Sequence, residues 1–360
     1  MIYLDNAATT PICDAAKNAI IEHLDDFGNP SSSHSFGHQA KMLIEDARER
    51  IAKCINAEPD EIYFTSGGSE ANTWVLDQFN TVATNIEHHS MKADMYLPIY
   101  NTGLINPKMY ENVSHWLIDL VSCMYVNNEI GTIQPIKEIA EIAHNKKMWF
   151  HTDAVQAVGH IPIDVKDIDC DMLSASGHKF GAPKGTGFLY IKNRRFSLLD
   201  SLIYGGKQEQ GIRGGTENVL GIVAMAVALE DSVSNMKERN AHVHELREIL
   251  LSTLLSIDGV HLNGSLNNRV SSNINIRIDG VKGEDVVAMC DQYGICISSG
   301  SACNEGNAEP SHVLKAIGLT DEQAISSVRI TLGHQNTLEE INYVCDIFPK
   351  IIERLRQIAD

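Results

Sequence analysis

Ser174-Ala-Ser-Gly-His-Lys179-Phe-Gly-Ala-Pro-Lys-Gly-Thr-Gly187 is a polar, glycine-rich stretch between two strand-like runs, 168–173 and 187–191. Glycines let a backbone bend close to a ligand. Ser176, His178 and nearby backbone N–H groups are the right types to hold a phosphate. A lysine kept there and partly desolvated can form a Schiff base with a carbonyl. The same composition also describes an ordinary surface loop.

A second stretch bears on that choice. Trp149-Phe-His-Thr-Asp153-Ala-Val-Gln156 ends an apolar, β-prone run with a carboxylate. A pyridoxal phosphate (PLP) enzyme needs a lysine to carry the cofactor and a carboxylate to keep its pyridine nitrogen protonated. Asp153 and Lys179 are those residue types, each just past a predicted strand, where open α/β sheets place ligands. An Asp in that position also serves as a turn residue or helix cap. Strand alternating with helix across 60–190 predicts a mostly parallel sheet.

The pairing of HTDAVQAVGH (151–160) with SASGHKFGAPKGTG (174–187) resembles the cysteine desulfurases of the NifS/IscS type, in the class V aminotransferase group. The likeness runs nearly end to end: YLDNAATTP at 3–11, FGNPSSSHSFG at 27–37, FTSGGSEAN at 64–72 and IEHHS at 86–90. It continues through VNNEIGTIQPI at 126–136, GIRGGTENV at 211–219, SSGSACNEGNAEPSHVL at 298–314 and SSVRITLG at 326–333. The resemblance implies an α/β protein of PLP-dependent transferase fold type I, with a large mostly parallel domain (15–255) and a smaller α/β domain (1–14 and 256–360).

The resemblance also implies roles. Lys179 would carry PLP and take the substrate Cα proton, with Asp153 on the pyridine nitrogen and Gln156, Ser176 and His178 around the cofactor. Gly68 and Ser69 would cup the phosphate; a strand, a Gly-rich turn and a helix start form an anion site in any case. His88 would stack on the ring and move protons, although a surface histidine fits the residue alone and His89 is adjacent. Asn128 would sit beside cofactor and substrate, and Asn6 near the substrate; by residue type both read as turns. Thr216 would complete the phosphate site of a second subunit, implying a homodimer; it can also N-cap the helical stretch 219–255.

Two further residues decide among PLP chemistries. Cys303, flanked by small and polar residues with Gly300 and Gly306 on either side, reads as an accessible thiol. The resemblance matches it to the cysteine that accepts sulfur as a persulfide. A guanidinium grips a carboxylate with a two-pronged fork, and Arg329 matches the arginine that holds the α-carboxylate of L-cysteine. The expected activity is sulfur removal from L-cysteine, giving L-alanine and a persulfide for an iron–sulfur scaffold or thiolation protein. A selenocysteine lyase, a desulfurase serving DNA phosphorothioation and a non-enzymatic scaffold are the alternatives. Departures from the family pattern are Ser69 for Thr, Asn304-Glu305 for small hydroxyl residues, His334 for a cation, and a shorter 73–122 segment.

Composition agrees. Lys+Arg 29 against Asp+Glu 47 gives a net charge of −18 over 360 residues, which argues against nonspecific nucleic-acid binding. No long apolar run or signal peptide is read, so a cytoplasmic protein is expected. The eight cysteines are scattered without CxxC or zinc spacing, which predicts reduced thiols and no metal site. Elsewhere, 13–24 and 39–55 read as amphipathic helices, 116–126 as a buried strand, 136–145 as a helix and 270–278 as an antiparallel strand. Thr337-Leu-Glu-Glu340 opens a final helix with a capping box.

Overall fold

The computed structural model describes residues 1–192, 199–299 and 309–359. Cys303, with Asn304 and Glu305, lies outside the described residues. In chain order the first strand is β1 (Ile2–Tyr3). Then come β2 (Ile62–Thr65), β3 (Thr81–Thr84), β4 (Met95–Leu97), β5 (Leu120–Ser122), β6 (Trp149–Asp153), β7 (Met172–Ser176) and β8 (Gly187–Ile191), all in one sheet ordered β2-β8-β7-β6-β5-β3-β4. Only β8 runs against its neighbours; β4, β3, β5, β6 and β7 are parallel in sequence of pairing.

Strands β7 and β8 are buried at every position, the pattern of a sheet covered on both faces. Alternation along the strands divides the covering cores. Ile62, Phe64, Phe150 and Phe188 pack with α2 (Ser35–Ile55) and α6 (Val219–Ser234). Tyr63, Met172 and Leu189 pack with α3 (Gly68–Leu76). Helix α1 (Asp14–Glu22) lies on α6, and α4 (Ile136–Asn145) covers β6.

The C-terminal strands β9 (Val260–Leu262), β10 (Asn273–Ile278), β12 (Ser298–Ser299) and β13 (Ser327–Thr331) form an antiparallel sheet, while β11 (Ile295–Cys296) pairs in parallel with β1. Their core joins Leu4 and Ile276 to α7 (Met236–Ser256), α8 (Gly283–Gln292) and α11 (Leu338–Ala359). The capping box that opens α11 is present: Thr337 Oγ1 accepts from the Glu340 N–H at 3.2 Å, and Glu340 Oε2 accepts from the Thr337 N–H at 3.1 Å. Among the described residues no single helix is long and apolar enough to cross a membrane.

Three expectations are corrected. The stretch 219–255 is two helices bent by 69°, because Asn235 ends α6 and directs α7 toward the other core. Asn235 Nδ2 donates to the Asp231 carbonyl at 2.9 Å, and Asp231 pairs with Arg239 at 2.8 Å across the bend. The run 116–126 contains only the short β5. Its start is a turn in which the N–H groups of Leu117 and Ile118 donate to the Ser114 carbonyl, leaving Trp116 85% exposed. The cap of α6 is Asn218, whose side chain accepts from the Gly221 N–H at 3.1 Å, and not Thr216.

Candidate active site

At the carboxyl ends of the parallel strands lies a cavity of about 370 Å3, where this architecture places ligands. Asp153, the last residue of β6, is buried in its wall. Its Oδ1 accepts from the Val155 N–H at 3.0 Å, and its Oδ2 accepts from Asn72 Nδ2 at 2.7 Å. Lys179 stands in the short turn that follows β7. Its Nζ donates to the carbonyls of Ala7 and Ala8 at 2.7 and 2.8 Å, so the N-terminal segment forms the facing wall. Gln156 Nε2 donates to the same Ala7 carbonyl at 2.9 Å.

The floor is the start of α3. Gly67 has φ 155° and ψ −177°, a conformation that only glycine adopts readily. At Gly68 an added Cβ would meet Val155 Cγ2 at 2.4 Å, so glycine alone lets this turn approach the end of β6. The N–H groups of Gly68 and Ser69 belong to the first helical turn, where no preceding carbonyl of the helix takes them. Ser176 and His178 line the same cavity. Desolvation, with the charges of Lys179 and Lys184, lowers the His178 pKa to about 4, so its ring is neutral. Behind the turn, Glu70 accepts from Arg213 at 2.9 and 3.2 Å; burial works against its charge, but Arg213 and Ser66 hold it below its ordinary value.

The remaining wall comes from the C-terminal sheet. Arg329 on β13 donates through Nη1 to the Asn128 carbonyl at 3.0 Å and through Nη2 to Asp5 Oδ1 at 2.9 Å. Its buried Nε has no hydrogen-bond partner among the described residues. Ser299, at the end of β12, also lines the cavity. Between these walls sits Glu129, which accepts from Ser311 Oγ at 2.5 Å. Burial raises its pKa to about 7, despite Ser311 and the charge of Arg329. His88 is open to the cavity, and partial desolvation lowers its pKa.

The structure thus brings Gly68, Ser69, His88, Asn128, Asp153, Gln156, Ser176, His178, Lys179 and Arg329 to one cavity. Two predicted residues stand elsewhere. Asn6 lines an adjoining cavity of about 390 Å3, its side chain donating to the Thr331 carbonyl and accepting from Gln335. Thr216 is exposed on the 205–218 loop and does not line the cavity of Lys179. Sequence reasoning missed Asn72, Glu129 and Ser90; Glu129 lies within the VNNEIG block, and its acidic side chain beside two asparagines was the available signal.

These groups fit PLP. A buried carboxylate can face a protonated pyridine nitrogen, a lysine can carry the aldehyde carbon, and a glycine turn at a helix start can receive the phosphate. Asn72 Oδ1, buried without a partner among the described residues, adds an unused acceptor beside Asp153.

Residues 2–344 match the family model described as aminotransferase class-V. The chain is 41% identical over 379 aligned positions to "Cysteine desulfurase IscS" of Methanosarcina thermophila, covering 99% of this chain and 93% of that protein. Among solved structures it is similar to a NifS-like protein (TM-score 0.91, 32% identity, 98% of this chain and 100% of the other). It is also similar to SspA in complex with cysteine (TM-score 0.82, 33% identity, 94% and 100%). The family model spans both walls of the cavity, and the chain belongs to the aminotransferase class-V family.

Proposed function

We propose that this protein is a PLP-dependent cysteine desulfurase that converts L-cysteine to L-alanine and retains the sulfur on Cys303. One observation carries the reading: Lys179 and Asp153 share a cavity with Arg329 and Ser299. A cofactor wall there faces a carboxylate-binding residue and the strand that leads to Cys303. In the sequence Cys303 follows Ser299 by four residues. None of the described cysteines lines this cavity.

PLP bound at Lys179 supplies an electron sink for the electrons released at the substrate Cα. Asp153 keeps the pyridine nitrogen protonated, and Asn72 and the Val155 N–H hold that carboxylate in place. Arg329 grips the α-carboxylate of L-cysteine with its fork, already steadied by Asp5 and the Asn128 carbonyl. Released from the cofactor by the substrate amine, Lys179 Nζ would take the Cα proton. The Cys303 thiolate takes the substrate sulfur: a Cβ–S bond is replaced by an S–S bond on the enzyme and a Cβ–H bond on the product.

The same reading assigns Thr216, exposed and away from its own chain's cavity, to the phosphate site of a second copy in a homodimer. The division into a large domain (15–255) and a smaller one (1–14 and 256–360) belongs to it too. So do a cytoplasmic location and delivery of sulfur to an iron–sulfur scaffold or thiolation protein. The test is alanine and sulfide formation from L-cysteine with a thiol reductant, for wild type and Cys303→Ala, with the cofactor absorbance recorded for each. Turnover in the wild type and loss in the variant, with the absorbance unchanged in both, is the expected result. A wild type with no cofactor absorbance overturns the reading.

A further inference from the structure

His88 is held from behind by two groups of Ser90, one of which Asn72 holds in turn. Its Nδ1 is 3.2 Å from the Ser90 backbone nitrogen, which donates to it, and 2.8 Å from Ser90 Oγ. A backbone N–H cannot be turned around, so Nδ1 is an acceptor and bears no proton. The next link agrees. Asn72 Nδ2 donates both to Asp153 Oδ2 at 2.7 Å and to Ser90 Oγ at 3.0 Å. Facing a carboxylate oxygen, the amide must present its N–H groups. Ser90 Oγ therefore receives one proton from Asn72, and with Nδ1 already bare by the backbone contact, its own proton goes to His88 Nδ1. His88 Nε2 forms no hydrogen bond among the described residues.

We infer that Asn72 and Ser90 are positioning residues that fix His88 as the neutral tautomer protonated on Nε2, making it a hydrogen-bond donor toward the cavity. An imidazole in this state cannot take a proton through Nε2. To do so it would have to place a proton on Nδ1, against the Ser90 N–H. Base chemistry at Cα is then left to Lys179, while His88 donates to whatever occupies the cavity. The surrounding charges agree: desolvation lowers the His88 pKa, and His89, Lys179 and His312 lower it further, against the opposing pull of Asp153. The network also gives Asp153 two tasks, because the carboxylate that serves the cofactor nitrogen orients the amide that orients the histidine, through Ser90.

The inference rests on the catalytic reading of the cavity, but its first readout does not depend on turnover. Protein labelled with 15N-histidine, with and without PLP, is compared with His88→Gln to assign the ring. Wild type should show Nε2 protonated and Nδ1 bare in both forms. In Ser90→Ala, which loses the hydroxyl and with it the link to Asn72, the two nitrogens should move toward each other as the tautomers mix. Asn72→Leu leaves both Ser90 donors in place and should show a smaller shift of the same kind; Ser90, half-buried, carries the test alone if Asn72→Leu fails to fold. In turnover, loss of one such hydrogen bond should lower kcat about fivefold in Ser90→Ala, with KM unchanged and Ser90→Thr restoring the rate. A proton on Nδ1 in the wild type, or Ser90→Ala and Ser90→Thr behaving alike, would overturn the inference. The nitrogen shifts as expected without cysteine turnover would instead separate the positioning claim, which stands, from the desulfurase reading, which fails.

Discussion

The two walls of the cavity are built differently. The wall of Asp153, Ser176 and Lys179 grows from β6 and β7, central strands fixed by neighbours on either side and covered on both faces. The opposite wall, with Arg329 and Ser299, belongs to a smaller sheet. It reaches the first through polar ties at Glu87 and at 128–133: Arg329 to the Asn128 carbonyl, Asn273 and Asn275 to the Glu129 carbonyl at 3.0 and 3.1 Å, Ser311 to the Glu129 side chain, the Val270 N–H to the Gly131 carbonyl at 3.0 Å, the Ile133 N–H to the Asn268 carbonyl at 3.0 Å, and His312 to the Glu87 carbonyl at 2.9 Å. Chemistry that needs atoms held within tenths of an ångström sits on the rigid wall, where second contacts lock each side chain. On the proposed reading, recognition of the substrate carboxylate falls to Arg329 on β13, the inner strand of the smaller sheet, paired with β12 and β10.

Breaking the rigid wall's chemistry should have the largest effect. On the proposed reading, Lys179→Ala removes the cofactor-bearing amine and the Cα base together and should lower turnover by roughly 10³-fold or more. Thermal unfolding of the variant, measured alongside, separates lost chemistry from a lost fold. On the opposite wall, Arg329→Lys keeps the charge but loses the fork. KM for L-cysteine should rise roughly 10- to 100-fold, the value of charge-assisted hydrogen bonds, with the cofactor absorbance intact. Steady-state kinetics on both variants tests the division: the first is expected to act on kcat, the second on KM.

Two smaller effects sharpen the contrast. Gly68→Ala forces Val155 to move and should cost about 1–3 kcal/mol, read as a fall in Tm, together with weaker cofactor retention. A fall in Tm with cofactor retention unchanged would mean that the turn is structural only. Glu87 lies buried behind His88 and accepts from Thr84 Oγ1 at 2.6 Å and from the Met124 N–H. Burial raises its pKa from 4.5 to about 8, so between those values the native state holds a proton that the unfolded chain has lost. Stability therefore falls as pH rises across that window. Glu87→Gln should flatten this part of the Tm profile, and an unchanged slope would mean that the carboxyl does not titrate there.

What the sequence disclosed follows from which forces act locally. Helix α4 begins and ends where its apolar spacing says, and the box at Thr337–Glu340 marks the start of α11, because caps and faces are set by residues three or four apart. Asp153 and Lys179 were legible because strand ends and glycine turns leave local marks. The bend at Asn235 was not, since no Gly or Pro stands near it (the one glycine of 219–255, Gly221, is in the first turn of α6); two separate cores pull the chain apart there. The turn at Ser114–Ile118 hid inside an apolar run. Most hidden was the link from Asp153 through Asn72 and Ser90 to His88. It joins residues 81 and 18 positions apart, and each is an ordinary polar side chain until the fold brings them together.

On the proposed reading, the cavity works on a substrate whose sulfur leaves on Cys303. The most direct measurement is peptide mass spectrometry of the PLP-loaded enzyme after a brief incubation with L-cysteine, without reductant, followed by trapping of thiols. One added sulfur atom is expected on the peptide containing Cys303, and none there in Lys179→Ala. Alanine formed while the added sulfur appears on another cysteine, or on none, would contradict it.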